Sequence, residues 1–139
     1  MTPGYLADTS AWHRSGATAP IHARWSELVQ GRSLWITPAV RLELLYSARG
    51  PADYAVLADD LESLPELPLD GRSIRRAQQV QAVLVGRSQH RGPTPIDLYI
   101  AAVAEVHGAT LIHYDRHFDA IARATGQPSE WIAPRGTLD

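Results

Sequence analysis

The chain has 139 residues and a formal net charge of −2; 45% of its residues are hydrophobic and 20% are charged, which predicts one domain, residues 1–139, with a sizeable core. It has no cysteine, which excludes disulfides and thiolate metal sites, and its 13 basic residues are all arginines, which excludes P-loop and Schiff-base lysines. No apolar run reaches the length of a membrane span and no signal peptide opens the chain, so we expect a cytoplasmic protein.

Short apolar runs alternate with segments of helical periodicity along the whole chain. The predicted strands cover residues 4–7, 33–37, 65–69, 109–115 and 130–134. The predicted helices cover residues 20–32, 38–48, 52–64, 73–88, 96–108 and 116–126. This alternation predicts an α/β fold, a three-layer α/β/α sandwich with a mostly parallel central sheet.

Two acids close predicted strands that are distant in the sequence. Asp8 ends the first strand in "LADTSAW", and Asp115 ends the strand "ATLIHYD". Parallel folds bind ligands beyond the carboxyl ends of their strands, so these acids could meet at one edge of the sheet. A simpler interpretation of Asp8 is a helix N-cap, with a helix beginning directly after it.

Three further acids could join this edge, and each also has a structural explanation. Asp97 stands three residues after Thr94, the spacing of a capping box, and we expect this end of its apolar helix to lie deep in the protein. Glu43 could simply face solvent from an otherwise apolar helix. Asp119 could stabilise the first turn of a helix through its dipole.

Carboxylates that pack together repel one another unless a cation relieves them. Hard oxygen ligands favour Mg²⁺ or Mn²⁺, and such a site can activate a water for attack on a phosphodiester. A cluster of these acids therefore predicts metal-dependent nuclease chemistry.

Four segments carry a family resemblance. "LADTSAW", "TPAVRLELLYSAR", "TPIDLYIAAVAEVHGATLIHYDRHFDAIA" and "QPSEWIAP" resemble PIN-domain ribonucleases, and most of all the VapC toxins of bacterial VapBC toxin–antitoxin modules. The resemblance covers the full chain and implies an acidic site with metal ligands among its members. The implied catalytic residues are Asp8, Glu43, Asp97 and Asp115, the implied metal ligands are Asp8, Asp97 and Asp115, and the implied accessory residues are Thr9, Ser10, His117 and Asp119.

The resemblance also implies an activity and partners. The activity is Mg²⁺- or Mn²⁺-dependent cleavage of RNA that leaves a 5′-phosphate and a 3′-hydroxyl. The partners are a second copy of the chain and a cognate VapB antitoxin whose C-terminal segment fills the groove. One departure stands out: many relatives carry an acid at the position of His117, so the Asp115 end of the site could lack one ligand.

Basic residues near the acids are candidates for holding RNA phosphates. For any single one of them, a solvated surface position is an equally good interpretation. The candidates are His13, Arg14, Arg87, His90, Arg91 and Arg116.

Two other functions compete with the nuclease. His113 and His117 stand four residues apart, but the metalloprotease motif needs a glutamate after the first histidine and one helix carrying both. The second alternative is a catalytically weakened module of the same fold that binds antitoxin or RNA without cleaving it, and His117 keeps it open. Retained RNA affinity without metal-dependent cleavage would identify that module.

Overall fold

The computed structural model describes residues 3–138; Met1, Thr2 and Asp139, which the predicted domain also includes, lie outside the described residues. The strands are β1 (Tyr5–Ala7), β2 (Leu34–Trp35), β3 (Thr110–His113) and β4 (Ser129–Trp131). The helices are α1 (Thr9–Trp12), α2 (Ala19–Gln30), α3 (Pro38–Tyr46), α4 (Pro51–Glu62), α5 (Gly71–Gly86), α6 (Pro95–His107) and α7 (His117–Thr125). None of the helices in the described part combines the length and apolar character needed to cross a bilayer.

The strands form one parallel sheet with the order β2-β1-β3-β4. In the central pair, Leu6 lies opposite Leu111 and Ala7 opposite Ile112. The pairing continues past β1, because the Asp8 N–H donates to the Ile112 carbonyl at 2.9 Å. The carboxyl ends of β1 and β3 therefore lie side by side, at the edge where parallel sheets bind ligands.

Helices cover both faces of this sheet. Leu6 and Leu111 belong to a core that α3 to α7 complete, whereas Ala7 and Ile112 belong to a second core with α1 and α2. Successive strand residues point to opposite faces, so these short strands fill both cores. The predicted three-layer α/β/α sandwich is confirmed.

The predicted strand 65–69 is wrong as a strand. The segment makes a single parallel bridge, in which Ile36 N–H donates to Pro65 O at 2.9 Å and Leu67 N–H donates to Ile36 O at 2.8 Å. Pro65 and Pro68 have no N–H to extend the ladder. Conversely, α1 begins directly after Asp8, as the N-cap interpretation of that residue predicted.

Helix α6 starts with the predicted capping box. The Thr94 Oγ1 accepts from the Asp97 N–H at 3.1 Å, and Asp97 Oδ2 accepts from the Thr94 N–H at 2.9 Å. The expectation that this end lies deep in the protein is wrong, because Ile96 is 37% exposed and Asp97 half-buried. The buried part of the helix starts only at Leu98. The first turn thus opens onto the surface.

Two isoleucines one turn apart on α6 give a stability test. Ile100 is fully buried, whereas Ile96 is partly exposed. We expect Ile100→Ala to lower the free energy of unfolding by about 2–5 kcal/mol, because the truncation leaves a cavity. The matched Ile96→Ala change should cost less than about 1 kcal/mol. Urea unfolding measures both, and equal losses would contradict this packing.

Candidate active site

The most buried acid at the carboxyl edge of the sheet is Asp8, which is 4% exposed. It caps α1: its Oδ2 accepts from the Ser10 N–H at 2.9 Å and from the Ser10 hydroxyl at 2.6 Å. The Ser10 Oγ in turn accepts from the Tyr114 N–H at 2.9 Å. One hydroxyl therefore holds Asp8 and also joins the end of β1 to the end of β3.

Glu43 reaches the same edge from α3. Its Oε1 accepts from the Thr9 hydroxyl at 2.7 Å, across 34 positions of sequence. The side chain is half-buried and directed towards α1, so the interpretation of Glu43 as an ordinary solvent-facing residue is wrong. Thr9 is thereby the residue that orients it.

Asp97 and Asp115 complete the group of acids. Asp97 keeps one oxygen on the Thr94 N–H, as the capping box requires. Asp115 follows β3, and its Oδ1 accepts from the His117 N–H at 2.9 Å. The Asp115 N–H donates to Nδ1 of the buried His113 at 3.2 Å, so this histidine fixes the backbone of the loop. No motif in the sequence predicts this role for His113; its place two residues before Asp115 is the only available signal.

The four acids influence one another electrostatically. Burial raises the pKa of Asp8 from 3.8 to about 6; the two Ser10 hydrogen bonds oppose this rise, and the charges of Asp97 and Glu43 add to it. Burial also raises the pKa of Asp97, and the charges of Asp115 and Glu43 contribute to that shift. The fold therefore holds like charges together at a cost in free energy.

These acids fit a hard divalent cation by their chemistry. Within residues 3–138, no three His, Asp or Glu side chains converge on a ready-made metal position. In each acid, one carboxylate oxygen instead accepts hydrogen bonds from nearby N–H or O–H groups. The other oxygen accepts no hydrogen bond from the described residues. Carboxylate oxygens are the ligands that Mg²⁺ and Mn²⁺ prefer, and a cation would relieve the mutual repulsion.

The environments of His113 and His117 do not support a zinc site formed by these two residues. His113 is fully buried between the rings of Phe118 and Trp131, and burial lowers its pKa from 6.5 to about 4. Its Nδ1 is already an acceptor for Asp115, and no hydrogen-bond partner for its Nε2 lies within the described chain. The His117 imidazole lies close to Gly92: its Nδ1 is only 2.8 Å from the position that a Cβ atom would occupy if residue 92 carried a side chain.

The remaining candidates occupy several environments. Asp119 holds the Trp131 indole, whose Nε1 donates to Oδ1 at 3.0 Å. Arg14 is half-buried; its guanidinium lies 4.6 Å from the centre of the Tyr114 ring, and Nη1 donates to the Ser10 carbonyl at 3.1 Å. The other proposed RNA-binding residues are exposed, namely His13, Arg87, His90, Arg91 and Arg116.

Comparison with known proteins agrees with this geometry. A family profile described as PIN domain matches residues 5–124. The chain belongs to the PIN-domain family. Ribonuclease VapC18 of Mycobacterium tuberculosis is 44% identical over 136 residues, which cover 96% of this chain and 98% of the relative. Ribonuclease VapC51 of the same organism is 38% identical over 139 residues and the full length of both chains.

The PIN-domain assignment extends to the three-dimensional fold. The crystal structure of DNA-bound VapBC from Salmonella typhimurium superposes with a TM-score of 0.77 at 21% identity, covering 95% of this chain and all of that chain. At this level of identity the match concerns the fold alone. The sequence relatives put this PIN domain in the VapC group.

The raised pKa of Asp8 predicts a pH-dependent cost of folding. Because this pKa lies above 3.8, stability from this group is complete at low pH and is lost as the pH rises from about 4 to about 6. In EDTA, we expect Asp8→Asn to raise the free energy of unfolding at about pH 7.5 by on the order of 1–3 kcal/mol, because asparagine carries no charge.

The same variant compared at about pH 4 supplies the control, because Asp8 is then largely protonated in the folded state. The difference between variant and parent should nearly vanish there. His113 titrates over an overlapping range in both proteins and cancels in the difference. A stability difference that is independent of pH would contradict the raised pKa.

Proposed function

We propose that this protein is a Mg²⁺- or Mn²⁺-dependent endoribonuclease, acting in the cytoplasm as the toxin of a type II toxin–antitoxin system, with residues 1–139 as one nuclease domain. The observation that carries the proposal is the buried carboxylate of Asp8 at the carboxyl edge of the sheet, whose pKa is raised chiefly by burial and further by the charges of Asp97 and Glu43. The names of the two mycobacterial ribonucleases support RNA as the substrate. A nuclease explains why a fold would retain such unfavourable charges.

Asp8, Asp97 and Asp115 are the proposed metal ligands. When bound, the cation would supply an activated water and neutralise charge that develops on the phosphate. Asp8 enters this role already oriented, because Ser10 holds its Oδ2 through two hydrogen bonds. Asp97 keeps its free oxygen available while Thr94 anchors the other.

Glu43 is the proposed group that orients the attacking water. The Thr9 hydroxyl donates to Oε1, which fixes the carboxylate and leaves Oε2 as the acceptor for a water proton. Thr9 is therefore a positioning residue for Glu43, as Ser10 is for Asp8. His117 and Asp119 stay accessory candidates, although Asp119 already accepts from Trp131.

The exposed basic residues are the proposed contacts to RNA phosphates. Arg87, His90 and Arg91 lie in the loop between α5 and α6, and Arg116 follows Asp115 directly. The packing of Arg14 on Tyr114 supports a structural role beside any contact with RNA. Arginine suits phosphate because its planar fork can donate two parallel hydrogen bonds.

A VapB-like antitoxin and a second copy of the chain are the proposed protein partners. Similar structures include VapBC from Salmonella typhimurium and VapBC2 from Rickettsia felis. Exposed apolar side chains beside Glu43 support a docking surface there: Leu42 is 70% exposed, Tyr46 is 92% exposed, and Ile96 lines the same cleft as both of them. Burial of this surface by an antitoxin segment would also cover the acidic site.

A cleavage assay tests the proposal. We expect the purified protein, freed of partner, to cut total bacterial RNA with MgCl₂ or MnCl₂ but not with EDTA. Asp8→Asn and Asp97→Asn should each lower the rate about a hundredfold or more, because several kcal/mol of charge stabilisation are lost. The control Asp59→Asn removes an exposed acid on α4 and should cut like the parent.

Two outcomes of this assay would contradict the nuclease. If Asp8→Asn cleaves as well as the parent, the acids serve only as caps and structure. If no metal supports cleavage while RNA still binds, the protein is the weakened binding module rather than an enzyme.

The hydrogen bond to Glu43 gives a separate prediction. Thr9→Val removes the hydroxyl at nearly constant shape, and we expect the cleavage rate to fall about 10–100-fold with little change in KM. Thr9→Ser keeps the hydroxyl and should restore most of the rate. Equal rates for the valine and serine variants would show that the Glu43 contact is dispensable.

A further inference from the structure

A cleft of about 330 Å³ lies beside the acidic site, between the loop that joins α5 to α6 and the first half of α7. Three arginines line it: Arg116, Arg123 and Arg135. We call it the arginine cleft. Arg116 directly follows Asp115, Arg123 lies on α7, and Arg135 lies in the C-terminal segment. Because Arg135 is distant from the other two in the sequence, the three arginines come together only in the folded chain.

The arginine cleft carries more positive than negative charge. Among residues 3–138, no acid forms an ion pair with any of its three arginines, whereas Arg24 and Arg76 each bind a glutamate elsewhere. The cleft contains one carboxylate, Asp119, which offsets one of the three positive charges and also accepts a hydrogen bond from the Trp131 indole. A chain with a net charge of −2 therefore concentrates positive charge at this place.

Both walls of the arginine cleft continue directly into the acidic site. On one side Gly92 and Pro93 lead to Thr94, whose N–H anchors Asp97. On the other side Arg116 follows Asp115, and the His117 N–H anchors that acid. Gly92 and His117 approach so closely that a side chain at position 92 would displace the imidazole. The two walls thus form one continuous surface from acids to arginines.

We propose that the arginine cleft is a phosphate subsite for the RNA strand, holding a backbone phosphate next to the scissile one through Arg123 and Arg135. This inference rests on the proposed nuclease function. A strand whose scissile phosphate lies at the acids must leave along a neighbouring surface, and this surface offers unpaired guanidinium groups that match phosphate. An acidic peptide would match the arginines but has no reason to extend into the acids.

Binding of a labelled single-stranded RNA oligonucleotide in EDTA tests the subsite without cleavage. We expect the Arg123→Gln/Arg135→Gln protein to bind about tenfold or more weakly than the parent, measured by fluorescence anisotropy. The slope of log Kd against log salt should fall by about 0.7 for each lost phosphate contact.

A matched control removes the same charge elsewhere. Arg72 and Arg75 are exposed near the start of α5, about 20 Å from the loop end of that helix. Arg72→Gln/Arg75→Gln should bind RNA within about twofold of the parent with an unchanged salt slope, since non-specific charge loss is small at that distance. Equal weakening in both double variants would overturn the subsite.

Cleavage kinetics separate this inference from the proposed function. The Arg123→Gln/Arg135→Gln protein should show a raised KM and a nearly unchanged kcat, because the substitutions leave the acids in place. If the parent cleaves RNA and the double variant has the parental KM, the subsite fails while the nuclease stands. If the parent neither cleaves nor binds RNA, both fail.

Two competition arms distinguish the source of the anion. Inorganic phosphate and poly-glutamate are each titrated against the labelled RNA. If unlabelled RNA of any sequence competes strongly, while inorganic phosphate and poly-glutamate compete only weakly, the result supports an RNA backbone phosphate as the occupant of the cleft. Binding of inorganic phosphate or poly-glutamate that the double variant loses, with RNA affinity unchanged, would overturn RNA as the occupant.

Discussion

The Ser10 hydroxyl links the ends of β1 and β3, and the arrangement of the candidate active site depends on this link. It donates to Asp8 at the end of β1 and accepts from the Tyr114 backbone at the end of β3. The two central strands are therefore tied to each other at the edge where the acids lie. Because both interactions use one oxygen, the position of the most buried carboxylate is coupled to the loop that carries Asp115.

The acids at this edge store unfavourable free energy. Asp8 is almost fully buried, and its charge is opposed by burial and by Asp97 and Glu43. Asp70, which caps α5, is half-buried, and its hydrogen bonds from Ser73 lower its pKa. The contrast between these two caps is the physical argument for a function at Asp8. The buried negative charge of Asp8 lowers the free energy of unfolding, but it is a charge that can bind a cation.

Local signals made much of this fold predictable from the sequence. Thr94 and Asp97 have capping-box spacing, Gly31 ends α2, and alternating apolar runs gave the parallel sheet. Local signals failed where the outcome depends on distant contacts. The segment around Glu66 forms one bridge and not a strand because its prolines interrupt the ladder. In the first turn of α6, Ile96 stays 37% exposed although it lines a cleft with Leu42 and Tyr46 of α3.

In the candidate site, too, local sequence signals predict some residues, while contacts between distant residues are not predictable. Asp8, Asp97 and Asp115 are recognisable because they end strands or begin helices, whereas Glu43 lies in the middle of α3 and only the family resemblance singles it out. The link between Thr9 and Glu43 spans 34 positions, and the cluster of Arg123 with Arg135 forms only when the C-terminal segment returns to α7. No pattern in the sequence encodes such contacts. His113 and Asp115 are only two positions apart, but their contact depends on the burial of the imidazole between Phe118 and Trp131, which the local sequence does not reveal.

Titration of Mn²⁺ into the metal-free protein, followed by the electron paramagnetic resonance signal of free Mn²⁺, tests the proposed metal site most directly. We expect the protein to remove Mn²⁺ from solution stoichiometrically and Mg²⁺ to release it. Asp97→Asn should abolish this binding, whereas Asp60→Asn, which changes an exposed acid on α4, should retain it. A free Mn²⁺ signal that the protein leaves unchanged, or equal binding by both variants, would contradict a metal site formed by Asp8, Asp97 and Asp115.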